Sequence, residues 1–400
     1  YPGRWSRDWN RSFELGLSSP RAGVLLLHGM SDAPYSLRSQ AEALHAAGAW
    51  VLGLRLPGHG TVPSGLVHAR WQDMAAAVRI GMDHLRAQLG DKPIIIVGYS
   101  NGGALAIHHA LLALKDPARV MPYKLVLISP AIGVTPLAAL AVWQERIGRL
   151  LDLEKLQWTS VLPEFNPYKY NSFAVGGGRQ THELTLQISR LLDRARDSGS
   201  LKRFPSVLAF QSAVDATVST PALITGLMDR LPDNGHELVL FDVNRKEELS
   251  DLLSSDPEPY LRPLLEGRAL PFTLTLLRNA GSDTRELIEE RWLPGAAEPV
   301  VSTPGLRWPQ GVFSLSHVAL PFPPDDPLYG RVIDENAAQL QLGELAFRGE
   351  RGALSISGDD MLRQTWNPFH AWMQRRLLDF VELDEQRVAG KKVAAGRLGT

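Results

Sequence analysis

The chain has 400 residues, of which 44% are hydrophobic and 21% charged, with a formal net charge of -1 and no cysteine. This is the composition of a globular protein with ample chain for a buried core. It excludes a partner bound through a nucleic-acid backbone, and it excludes disulfides, thiolate metal sites and a cysteine nucleophile.

The chain opens at Tyr1 without methionine, which leads us to expect a processed or trimmed N-terminus and an exported protein, periplasmic, secreted or lipoprotein. Residues 11–16 predict a first short strand. Residues 23–27 form an apolar run that ends at His28-Gly29 and reads as a strand buried on both faces. Helical spacing covers 37–47 up to Gly48, and 50–54 predicts the next buried strand, closed by the turn Pro57-Gly58-His59-Gly60. An amphipathic helix over 71–89 stops at Gly90, followed by the apolar strand 93–97 and a helix over 102–114. Further strands are predicted at 125–128, 207–210 and 238–241. Strands alternating with helices imply right-handed crossovers and a mainly parallel sheet. Two stretches break the alternation and read as insertions at the rim of the sheet. Residues 133–200 are helical and aromatic with a Gly176-Gly177-Gly178 joint, and 244–312 are rich in proline and charge with one strand-like run at 272–277. No apolar run approaches the ~20 residues that cross a bilayer.

The chemistry is concentrated at Gly98-Tyr99-Ser100-Asn101-Gly102, where an apolar strand runs directly into a helix. A strand-turn-helix bend this tight lifts the serine hydroxyl above the sheet and needs small neighbours. Ser100 is therefore the candidate nucleophile. A tetrahedral oxyanion formed on attack needs two amide donors. The N–H groups of Asn101 and Met30 are the candidates, with His28 bracing the loop and His59 bracing its own turn. A serine hydroxyl also needs an imidazole base held by a carboxylate. Asp215, in a loop just past the 207–210 strand, is the favoured acid, with Asp242 the runner-up. Of the histidines beyond it, His236 precedes a strand and belongs at the wrong end of the sheet, and His370 lies in a late helix. His317, in a loop before that helix, is the favoured base. The pair His108-His109 points in two directions on a helix and is read as structural, so no metal site is expected.

Together Leu27-His28-Gly29-Met30, Leu56-Pro57-Gly58-His59-Gly60, Gly98-Tyr99-Ser100-Asn101-Gly102, Asp215-Ala216-Thr217-Val218 and Ser316-His317 resemble the α/β-hydrolase superfamily, in its branch of bacterial carboxylesterases similar to monoacylglycerol lipases. The resemblance spans residues 20–320 in family order. It implies a cofactor-free serine esterase of the α/β-hydrolase fold, with core segments 1–132 and 201–400 and a lid at 133–200. It also leaves 244–312 as a second insertion before the histidine. The aromatic residues Trp143, Trp158, Phe165 and Tyr168 of the lid are candidate contacts for an apolar acyl or alcohol group, or else the lid's own core. The expected partner is a small-molecule ester; the motifs leave oligomeric state open. The same residues would serve an amidase, thioesterase, peptidase or acyl transferase, and a silent binding protein could share the scaffold.

Overall fold

The computed structural model describes residues 8–133, 158–246, 257–266, 269–332, 341–343, 358 and 362–383. Its strands are Phe13–Leu15 (β1), Ala22–Leu27 (β2), Ala49–Leu54 (β3), Ile94–Tyr99 (β4), Lys124–Ile128 (β5), Trp158–Ser160 (β6), Phe173–Ala174 (β7), Ser206–Ser212 (β8), Glu237–Phe241 (β9), Thr273–Asn279 (β10), Leu287–Trp292 (β11) and Val300–Ser302 (β12). The continuous apolar runs explain the architecture. β2 and β4 are buried along their whole length, so they can only be interior strands covered on both faces. A ten-stranded sheet results, in the order β1-β3-β2-β4-β5-β8-β9-β10-β11-β12. From β3 across to β10 every neighbouring pair is parallel, and β1, β11 and β12 add antiparallel edges.

Alternation along the strands feeds two apolar layers. Ile94 and Ile96 of β4 join one, while Ile95, Val97 and Tyr99 join the other. The first is built with helices Trp71–Leu89 and Asn101–Ala113, the second with Arg38–Ala46 and the late helix His370–Val381. In chain order we label Arg38–Ala46 α1, Gly65–His68 α2, Trp71–Leu89 α3, Asn101–Ala113 α4, Val175–Asp197 α5, Thr220–Gly226 α6, Glu258–Leu265 α7 and His370–Val381 α8. Each fully buried leucine or isoleucine in these layers contributes roughly 1.5–3 kcal/mol by leaving water.

The two stretches expected at the rim look different in the structure. Gly176, Gly177 and Gly178 are not a joint but part of the first turn of α5. Close packing explains them. A side chain on Gly176 would meet the Leu66 and Val67 carbonyls of α2, and one on Gly177 would meet Met30. Leu184, Ile188, Leu191 and Leu192 of α5 are buried in the same layer as α4, so α5 is the crossover helix between the parallel strands β5 and β8. Residues 134–157 lie outside the described residues. The 244–312 stretch supplies β10, β11 and β12, extending the sheet beyond β9. Among the described residues, no helix is long and apolar enough to cross a membrane.

The chain passes from β2 to β3 on one side and returns with β4 on the other side of β2. The loops leaving the carboxyl ends of β2 and β4 therefore diverge and open a crevice, which is where ligands bind in open α/β sheets.

Candidate active site

Ser100 stands at the carboxyl end of β4, as the residue that caps α4, with φ 54° and ψ -118°. A non-glycine residue in this region costs on the order of 1–3 kcal/mol and persists only when its surroundings fix it. They do so here. The Ser100 N–H donates to Ile128 O at 2.9 Å, and its carbonyl accepts from Gly103 N at 3.0 Å and Ala131 N at 3.0 Å. The flanking glycines are steric necessities. A Cβ on Gly102 would lie 2.0 Å from Leu27 O, and one on Gly98 would lie 2.6 Å from the backbone of Gly102.

The loop after β2 comes up against this bend. A Cβ on Gly29 would lie 3.3 Å from Ser100 Cβ. Leu56 N–H donates to His28 Nε2 at 3.1 Å, so the proton of the buried, neutral ring sits on Nδ1. Nδ1–H then donates to Gly29 O at 2.8 Å. Burial, and next the neighbouring His59, push the His28 pKa well down, which keeps this tautomer in place. Gly29 O and Met30 N belong to one peptide plane and point oppositely. By fixing the carbonyl, His28 aims the Met30 N–H. His59 Nε2 lies 2.7 Å from Met30 O and its ring stacks on Tyr170. Tyr170 N–H donates to Ser31 O at 2.8 Å, and its hydroxyl accepts from Thr61 N at 3.0 Å. Both expected braces, His28 and His59, thus act on the loop, and the segment around Tyr170 clips it to the Pro57–Gly60 turn. Neither the Met30 nor the Asn101 N–H has an acceptor among the described residues.

Beyond β8, which lies two strands from β4 in the sheet, the loop residues Asp215 and His317 meet. His317 Nδ1–H donates to Asp215 Oδ2 at 2.9 Å, with both side chains buried. The other carboxylate oxygen accepts from Thr217 N at 2.8 Å and Val218 N at 3.0 Å, and Gln211 Nε2 donates to Oδ2 at 3.1 Å. Burial alone would raise the Asp215 pKa, but the charge and hydrogen bond of His317 and the two amides outweigh it, so the group is held below its ordinary value. The His317 ring lies against Tyr99, the residue before Ser100, with centroids 5.2 Å apart. Its Nε2 is left without a hydrogen-bond partner among the described residues. Serine, imidazole, carboxylate and two free amides are all at the carboxyl end of the sheet.

The alternatives are placed elsewhere. Asp242 is held by Arg245 through contacts of 2.8 and 3.1 Å. His236 accepts from Val207 N at 3.1 Å at the amino end of β9, and His370 packs at 3.1 Å from Gln40. His109 bonds Val120 O at 2.9 Å, and His108 lies edge-on to Trp71. Of the four candidate substrate contacts, Trp143 lies outside the described residues. Trp158 is half-buried on β6 against the helical layer. Phe165 and Tyr168 join Tyr35, Phe322 and Tyr329 in an aromatic cluster, with the Tyr168 and Tyr35 rings stacked at 4.2 Å. That cluster ties residues 165–168 to the loop after His317, and buried Asp326 anchors it by accepting from Tyr35 Oη at 3.0 Å. The sequence alone gave no sign of the roles of Tyr99, Gln211 and Asp326. An Asx turn was the available signal for the Asp215 loop, since Asp-Ala-Thr-Val has the form whose carboxylate caps the next amides. A cavity of about 1130 Å³ lies at the opposite, amino-terminal ends of β2, β4, β5 and β8 and has no part in this site.

Residues 18–245 match the family Hydrolase_4, described as serine aminopeptidase, S33. A thermostable monoacylglycerol lipase of Bacillus sp. (strain H-257) is 30% identical over 178 residues, which are 43% of this chain and 65% of that protein. The chain thus spans slightly less than two thirds of that relative's length. Among solved structures, one from work on LipS and LipT, two metagenome-derived lipolytic enzymes, is 20% identical with a TM-score of 0.47, covering 64% of this chain and 97% of that one. A soluble variant of monoglyceride lipase from Saccharomyces cerevisiae is 13% identical with a TM-score of 0.45, over 58% of this chain and 82% of that one.

Proposed function

The chain belongs to the Hydrolase_4 family of S33 α/β-hydrolases, and from that premise we propose that it is a serine esterase cleaving carboxylic esters with an apolar acyl or alcohol group. The observation that carries the reading is the 2.9 Å bond from His317 to Asp215 beside the strained Ser100 bend. With Nδ1–H committed to Asp215, the His317 Nε2 is the free base. It takes the Ser100 proton as Oγ attacks the ester carbonyl, and the Met30 and Asn101 amides receive the charge that develops on oxygen. His317 returns the proton to the leaving alcohol. It then activates the water that releases the acid from Ser100.

Within the lid expected at 133–200, residues 158–174 are our candidate for the part that covers the site, because Tyr168 and Tyr170 hold this segment against the loops of the site. Since the Bacillus relative is a monoacylglycerol lipase, monoacylglycerols are the first natural esters to assay. A panel of p-nitrophenyl esters of rising chain length, run with the wild type and Ser100→Ala, tests the proposal. Hydrolysis abolished in the variant supports it, and full turnover without Ser100 overturns it. A second reading, amide cleavage, draws on the family's description as serine aminopeptidase. Aminoacyl p-nitroanilides in the same panel separate the two, since an aminopeptidase would turn them over faster than the esters.

A further inference from the structure

A cavity of about 410 Å³ lies between the β10–β11 hairpin, the loop after β12 and the loop that follows His317. Its lining is made only of arginine, tryptophan and proline: Arg285, Arg307, Arg331, Trp308, Trp366 and three prolines. No side chain in that set can accept a hydrogen bond. Arg307 leans on Glu286 at 3.5 Å, an exposed pair of little energetic weight. Arg285 and Arg331 have no carboxylate partner among the described residues, and Arg331 instead lies over the Trp366 ring at 6.0 Å. Trp308 is 1% exposed, and its indole N–H has no acceptor among the described residues. A buried donor left unsatisfied is costly and calls for a reason.

Guanidinium groups are the side chains best shaped to grip a carboxylate or phosphate, and half-buried proline rings offer an apolar wall for the rest of a ligand. The volume falls within the range of small-molecule sites. We propose that this cavity binds an organic oxyanion, a carboxylate or phosphate carried on an apolar body, at a place distinct from Ser100. The oxyanion sits between Arg285 and Arg331, and the body rests against Pro309, Pro324 and Pro368, the half-buried apolar part of the lining. The inference does not depend on the esterase reading, because none of these residues belongs to the Ser100 site.

Isothermal titration of the full chain with 2-naphthoate at low salt tests it, with 2-naphthamide and inorganic phosphate as controls. The expected result is one equivalent of 2-naphthoate bound, with binding at least tenfold weaker in Arg285→Ala and in Arg331→Ala and lost in the double variant. Turnover of a short p-nitrophenyl ester and the near-ultraviolet circular dichroism should stay unchanged in the double variant, which separates loss of the site from loss of the fold. The neutral amide should bind at least tenfold more weakly, and phosphate should compete, which identifies the oxyanion as the shared element. No binding of 2-naphthoate, or binding unchanged in the double variant, overturns the proposal.

Discussion

Replacing Asp215 by asparagine probes the proposed chemistry with little change in shape. Position Oδ1 accepts two backbone N–H groups, from Thr217 and Val218, so the asparagine oxygen must stay there. The new NH2 then occupies the place of Oδ2 and faces His317 Nδ1, 2.9 Å away. To avoid two donors meeting, the imidazole must move its proton to Nε2, the nitrogen that should take the proton of Ser100. The base is thereby blocked. By the same logic in other serine hydrolases, kcat should fall about 10⁴-fold, equivalent to about 5.5 kcal/mol of transition-state stabilisation. The fold should survive. Gln211, whose Nε2 now donates to Asp215, has a buried Oε1 without a partner among the described residues, so a flip of its amide supplies an acceptor for the new NH2. That flip gives up the 3.2 Å bond to Thr220, so the change in stability should be no more than about 1 kcal/mol. Stopped-flow hydrolysis of p-nitrophenyl butyrate, beside urea unfolding, measures both quantities. A loss of less than tenfold in kcat, or a larger loss from Asp242→Asn, would refute the reasoning.

Position 100 should also show a conflict between strain and stability. Ser100→Gly, free of the penalty at φ 54°, should unfold about 1 kcal/mol later than Ser100→Ala in urea, and both should be inactive. Gly102→Ala drives a methyl group to within 2.0 Å of Leu27 O and should cost about 3 kcal/mol or more, read as a shifted urea midpoint or loss of soluble protein. Acid should weaken the fold. Burial pushes His108, His236 and His370 down from 6.5 to about 4, so the unfolded chain binds protons that the folded chain refuses. The associated stability is full above the unfolded value and drains as the pH falls from 6.5 towards 4, and the depressed Asp215 pKa acts in the same direction at lower pH. His370→Gln should flatten the pH dependence of the urea midpoint in that window, while His317→Ala should abolish turnover with His370→Ala retaining it.

Local chemistry made the strands and the bend legible. Continuous apolar runs such as 94–97 can only be interior strands, and a serine between glycines where a strand meets a helix has few other uses. The loop position of Asp215 and the exclusion of His236 by strand direction followed from one rule, that functional loops lie at the carboxyl ends of parallel strands. The division of the rest was harder to read. Three glycines in a row suggest a joint, yet here they let α5 approach α2 and Met30 closely, and only the tertiary neighbours reveal that use. The apolar run 272–277 marked β10, but proline and charge disguised β11 and β12, because antiparallel edge strands carry polar residues on their exposed side. The aromatic residues 165 and 168 read as substrate contacts or as the lid's own core, but their partners Phe322 and Tyr329 lie more than 150 positions away in the chain and make them a clasp. No local pattern encodes a contact of that separation.

The account rests on Ser100 being a nucleophile activated by His317. Reaction with a fluorophosphonate probe, followed by intact-mass measurement and peptide mapping, tests this most directly. One adduct per chain is expected, on the peptide containing Ser100, formed by the wild type and absent from Ser100→Ala and His317→Ala. An unreactive wild type, or an adduct carried by any other serine, would contradict it.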